Sequence, residues 1–145
     1  MDLFITAEAY RQSAIVLEEK TLWRAPAKIG HAQMPLRFLY SHALELYLKA
    51  LLRTKYSIDA VEKFRHSIKR LVKEAEEFGL VVNCADRDLF AIMADTKALI
   101  EMRYILTGAK TVGEVVEIEN LHRTCKSVRD SVGGLLRNAG VIVRL

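Results

Sequence analysis

Residues 36–53 read LRFLYSHALELYLKALLR, a long apolar stretch crossed by one regularly spaced polar line. A helix turns about 100° per residue, so His42, Glu45, Lys49 and Arg53 share a stripe roughly 80° wide. Leu36, Leu39, Tyr40, Ala43, Leu46, Tyr47, Ala50 and Leu51 then fill the core side. Phe38, Leu48 and Leu52 fall outside that main arc, which predicts burial on more than one side. The stretch therefore reads as a bundle helix with a built-in polar site. Pro35 sits where a proline belongs, in the first helical turn.

The flanking sequence supplies partners for this helix. Ala7, Tyr10, Ala14 and Leu17 repeat at helical spacing and predict a first helix over about residues 4–20. A connection of residues 21–34, with Trp23, Pro26, Gly30 and His31, is long for a helix-to-helix loop, and such loops are often functional. Beyond the central stretch, Val61, Phe64, Ile68, Leu71, Ala75 and Phe78 alternate by three and four. They predict one continuous third helix, opened by an Asp59–Glu62 capping box and stopped at Gly79. A fourth helix is expected over about 86–106, with Leu89, Ile92, Thr96 and Leu99 inward. Thr111 and Glu114 form a second capping box, opening a fifth helix with the seam Val115, Ile118, Leu121, Cys125, Val128, Val132 and Leu135. Gly133 and Gly134 should weaken its last turns by about 1 kcal/mol each relative to alanine. With no alternating strand pattern, the prediction is all-α: an antiparallel up-and-down bundle of about five helices forming one domain over residues 1–145.

Composition bounds the function. The chain has 145 residues, and 51% hydrophobic with 28% charged residues is the balance of a globular domain, not of a disordered or membrane-spanning one. The apolar runs are interrupted every few residues and no basic-then-apolar leader is present, so the expected compartment is the cytoplasm. Cys84 and Cys125 stand far apart with no metal-binding spacing, and no cofactor motif is present, so neither a metal nor a cofactor is expected. Cys125 lies on an apolar seam and reads as a small core residue.

The net charge of +4 matters less than its distribution. Lys63, Arg65, His66, Lys69, Arg70 and Lys73 occur with no acid between the first and the last. On one continuous helix they would cover roughly 160° opposite the apolar seam. Such a face points to a phosphate-bearing partner, because lysine and arginine contacts to phosphate dominate nonspecific affinity. Its plain alternative is a solvated face balanced by Glu62, Glu74, Glu76 and Glu77. The stripe of His42, Glu45 and Lys49 also has two readings. It is either a structural network packed against Arg103 or Tyr104 of the fourth helix, or a cleft that contacts a ligand.

Three segments carry a family resemblance. SHALELYLKALL, FRHSIKRLVKEAEEFGL and EMRYILTGAKT, in that order, resemble the HEPN (higher eukaryotes and prokaryotes nucleotide-binding) domains. The likeness is to the stand-alone prokaryotic branch with a HAxELxLKAxL helix, a GHDLxxLxxxA helix and an RYxxxG segment. One departure stands out: Gly-His-Asp-Leu of that pattern is Arg65-His66-Ser67-Ile68 here. The resemblance implies an all-α bundle, frequent homodimerisation and a history of nucleotide or RNA handling. It also suggests a defence or toxin–antitoxin setting, with a neighbouring nucleotidyltransferase or antitoxin as partner.

Some HEPN members are metal-independent ribonucleases in which an arginine holds phosphate and a nearby histidine moves protons. Arg37 and His42 have the required spacing, as do Arg24 and His31. Against that role, Phe38 follows the arginine where active members are usually polar, and Leu44 stands where a tyrosine is expected. Residues five apart on one helix also point about 140° away from each other, so the two would meet one phosphate only at a helix end or across a dimer. The expectation is a nucleotide- or RNA-associated binding module. The alternatives are a ribonuclease using Arg37 and His42, and a protein-interaction domain whose polar residues serve only the fold.

Overall fold

The apolar stretch at the centre of the sequence becomes α2 (Met34–Leu52), and in this computed structural model every residue from Ala43 to Leu52 is buried. The structure describes residues 2–21, 34–94 and 118–143. The other helices are α1 (Asp2–Thr21), the short α3 (Ile58–Glu62), α4 (Ile68–Glu77), α5 (Cys84–Met93) and α6 (Ile118–Asn138); α1, α4 and α6 pack on α2, and α5 packs on α4 and α6. Every regular element among the described residues is a helix, and together they form an all-α bundle. None of these helices is long and apolar enough to cross a membrane.

Side-chain pairs set the directions. Tyr40 of α2 meets Glu18 of α1, while Tyr47, two turns on, meets Glu8, so α1 and α2 run antiparallel. His122 of α6 lies at Tyr40, and Arg129 reaches Glu8 at the level of Tyr47. Hence α6 runs against α1 and points the same way as α2. The core between them holds Phe4, Ala7, Ala14, Leu36, Ala43 and Leu121, all almost wholly buried. Cys125 is completely buried, as its place on the seam predicts, and burial pushes its thiol up to about 12.

Leu48 and Leu52 are completely buried within the single chain, and Phe38 is half-buried. The burial on more than one side that these residues predict is thus found, and it is supplied within the chain. With α1, α4 and α6 all packed on α2, its whole circumference beyond Ala43 is used up.

The third predicted helix is broken in two. Its start is Ser57, not Asp59: the Ser57 hydroxyl accepts from the Ala60 amide, as an N-cap does. After Glu62 the backbone turns through residues 63–66, Arg65 takes a left-handed φ of 49°, and Ser67 caps α4 by accepting from the Arg70 amide. The apolar spacing survives the break because a turn of nearly helical pitch keeps Val61, Ile68, Leu71 and Ala75 buried and Phe64 and Phe78 half-buried. Periodicity of the side chains therefore concealed the interruption of the backbone. Gly79, at φ 97°, ends α4 as expected.

The next helix begins at Cys84, two residues before the expected Asp86. Asn83 is its cap and accepts from the Asp86 amide, while the Asp86 carboxylate receives the Thr124 hydroxyl of α6 at 2.6 Å. Leu89 and Phe90 are buried. As the seam through Leu135 predicts, α6 runs through Gly133 and Gly134, and it ends at Asn138. Gly133 is buried against the Phe4 ring, so tertiary packing offsets its low propensity. The loop around Trp23 and His31, the inward Thr96 and Leu99, the Thr111–Glu114 box and Arg103 and Tyr104 lie outside the described residues.

Candidate functional site

The polar line of α2 converges on Glu45. Its Oε1 accepts from Lys49 Nζ at 3.0 Å, one turn along the same helix, and lies 2.8 Å from Nδ1 of His66. Glu45 and Lys49 are both buried, at 3% and 6% exposure, whereas the His66 side chain is 54% exposed. The ion pair is therefore interior, with one imidazole carrying it to the surface. A buried carboxylate and ammonium are tolerable only when paired, and here each is. Among the described residues, His66, from the turn before α4, is a partner of Glu45 from another element.

His66 moves accordingly from the basic set to the Glu45 site. What holds it there is the break in the predicted third helix. A continuous helix would place His66 beside Lys63 and Lys73 on the outer face, but the left-handed Arg65 swings the chain so that His66 meets α2. The 160° basic face is likewise divided. Lys63 and Arg65 stand exposed on the turn, and Lys69 and Lys73 are exposed on α4. Arg70 is held to the turn, donating to the Lys63 carbonyl at 3.4 Å and lying over the Phe64 ring at 5.1 Å. Arg53 leaves the stripe, its guanidinium donating to the Tyr56 carbonyl at 2.7 Å where α2 ends.

Beside the basic residues runs an open groove of about 460 Å³ between α4 and α5. The buried Val72 and Phe90 form its floor, and Lys69, Lys73 and Arg87 also line it. Arg87 is paired with Glu76 across the groove, which leaves the two lysines as its unneutralised cations among the described residues.

Arg37 and His42 do not come together at the surface. Arg37 is buried, at 4% exposure, near the start of α2. The His42 ring is stacked on Phe38, with centroids 5.6 Å apart, and meets the edge of Tyr10 at 4.5 Å.

Two further polar layers cross the α1–α2–α6 interface. In one, the Tyr40 hydroxyl donates to Glu18 and lies 2.7 Å from Nδ1 of His122, which is itself 3.3 Å from Glu18. In the other, Glu8 accepts from Tyr47, from Arg129 at 2.7 Å and from Arg11 at 3.3 Å. Burial on its own would raise the Glu8 carboxyl, but the hydrogen bonds from Arg129, Tyr47 and Arg11 outweigh it and hold the group below its usual range. Burial, followed by donation to a carboxylate, raises both tyrosines well above theirs. Sequence reasoning assigned Tyr40 and Tyr47 to the core as apolar bodies. Their hydroxyls were the missed signal, since a buried tyrosine needs an acceptor for its O–H.

Among the described residues no group of histidines, cysteines and acids is placed to hold a metal ion. Comparison with protein-family models, with curated proteins and with solved structures finds no match in any of the three.

Proposed function

We propose that the chain is a HEPN-like module that binds RNA or nucleotides through the turn before α4 and the groove beside it. The observation that carries this is the run of exposed cations Lys63, Arg65, Lys69 and Lys73, two of which line an open groove with an apolar floor. Phosphate groups satisfy such cations, and an apolar floor suits a base or ribose.

The HEPN-like part of the reading is supported by how the signature stretches meet. Glu45 and Lys49 of the HAxELxLKA-like helix contact His66 of the second signature, across 21 residues of sequence. The departure from Gly-His-Asp-Leu also acquires a physical sense. Glycine suits a left-handed residue, and Arg65 is left-handed here; aspartate suits an N-cap, and Ser67 caps α4.

Binding fits better than cleavage at Arg37 and His42, because one side chain is buried and the other ring is packed between two aromatics. Pairing with a second copy remains part of the proposal on the strength of the resemblance alone, since Leu48 and Leu52 are already covered. A partner encoded beside it, nucleotidyltransferase or antitoxin, stands on the same footing.

The test incubates labelled RNA with the purified protein in EDTA and follows both retention and strand length. Retention of intact RNA is the expected result. Metal-independent cleavage that disappears in both Arg37→Ala and His42→Ala, with folding intact, would replace binding by catalysis. Failure to retain RNA or nucleotide at low salt would remove the proposal altogether.

A further inference from the structure

His66 is held in a way that polyanion binding does not require. Lysine and arginine contacts to phosphate need only charge and reach, whereas this ring has one nitrogen fixed by a buried carboxylate and the other turned outward. Chemistry decides which nitrogen bears the proton. Glu45 is paired with Lys49 at 3.0 Å and is therefore a carboxylate, able only to accept. Nδ1 of His66, 2.8 Å from the same oxygen, must then be the donor. In the neutral ring this leaves the lone pair on Nε2. The side chain is 54% exposed and Nε2 has no partner among the described residues, so that lone pair faces solvent.

We propose that His66 is a phosphoryl-accepting histidine, whose Nε2 takes a phosphoryl group from a small activated phosphoryl donor while Glu45 holds the proton on Nδ1. The surroundings suit each stage. Lys63, Arg65 and Lys69, all exposed and within three residues in sequence, attract an anionic donor. Orientation of the ring by a hydrogen bond on its other nitrogen is how proteins aim an imidazole at an electrophile.

With phosphoramidate as donor the step balances. Phosphoramidate reacts with its nitrogen already protonated, as –NH3+: the Nε2 lone pair forms a new N–P bond, the donor's P–N bond breaks, and the nitrogen departs as neutral ammonia with the bonding pair. No external proton or electron is consumed. The ring keeps its Nδ1 proton and so becomes cationic as the phosphoryl group arrives, and that positive charge develops next to the Glu45 carboxylate.

The other described histidines lack this combination. His42 is packed between Tyr10 and Phe38. His122 is less exposed, at 39%, and its nearest Nδ1 contact is a tyrosine hydroxyl at 2.7 Å, with Glu18 only at 3.3 Å. The inference stands apart from RNA binding, which can fail without affecting it.

The experiment treats the full chain with phosphoramidate, quenches in alkali, and reads phosphate at each histidine by peptide mass spectrometry and the ring isomer by phosphorus NMR. His66 is expected to be modified about tenfold faster than His42 or His122, and at Nε2. The His66→Gln variant should lose that signal, and Glu45→Gln, checked for helicity by circular dichroism, should slow it severalfold. Equal rates at all histidines, modification at Nδ1, or an unchanged rate in folded Glu45→Gln would overturn the proposal. If Glu45→Gln does not fold, the rates at each histidine and the ring isomer in the unaltered protein still decide.

Discussion

Glu45 sits where three demands meet: a buried ammonium from Lys49, an imidazole from a different element, and a helix otherwise apolar on every side. Removing the carboxylate strands Lys49 at 6% exposure, so Glu45→Ala is expected to cost about 3–5 kcal/mol in denaturant unfolding. An exposed pair of the same sequence spacing would lose less than about 1 kcal/mol, so a midpoint that hardly moves would contradict an interior ion pair. Part of this site was legible in sequence. The spacing of Glu45 and Lys49 announces an i,i+4 pair, and the apolar residues on all sides announce its burial. His66 was not legible as a partner, because its position depends on one backbone angle at Arg65.

At the scale of elements, that angle separates what periodicity can and cannot reveal. The long helices α1, α2 and α6 follow from apolar spacing because a helix of many turns has no alternative way to bury one face. The break between α3 and α4 does not, since the side chains on either side keep a helical rhythm while the backbone between them departs from it. Ser57 and Ser67 were the available signals, each a hydroxyl residue immediately before an isoleucine that starts a helix. Arginine is a poor choice for a left-handed residue, a conformation that costs a non-glycine residue about 1–2 kcal/mol. Arg65→Gly is therefore expected to leave the turn intact and raise stability by about 1 kcal/mol after the larger unfolded-state entropy of glycine is allowed for. A loss of stability in that variant, seen as a lower melting temperature, would mean that the Arg65 side chain rather than the backbone governs the turn.

At the scale of the whole molecule, α1, α2 and α6 are tied together by the polar layers that they share around Tyr40 and Tyr47. Glu8 anchors one of them, and its depressed carboxyl links folding to pH. The contribution of a depressed acid is fully present above its unfolded value, here 4.5, and disappears as pH falls through the lower folded value. Urea midpoints are thus expected to fall with acidification below about pH 4.5, and more gently in Glu8→Gln, which starts from lower stability. Parallel acid limbs for the two proteins would remove Glu8 from the acid response.

On the outside, the same architecture leaves Lys69 and Lys73 standing over the α4–α5 groove. Binding of phosphate by cations releases counterions, so the logarithm of affinity falls linearly with the logarithm of salt, by about 0.7 per phosphate contact on a single strand. The most direct measurement is therefore fluorescence anisotropy of a labelled single-stranded RNA across a salt series, for the unaltered protein and for Lys69→Gln/Lys73→Gln. The expected result is a steep salt dependence whose slope drops by about 1.4 in the double variant, with the fold unchanged. Affinity that is insensitive to salt, or a slope identical in the two proteins, would contradict a polyanion-binding role for this surface.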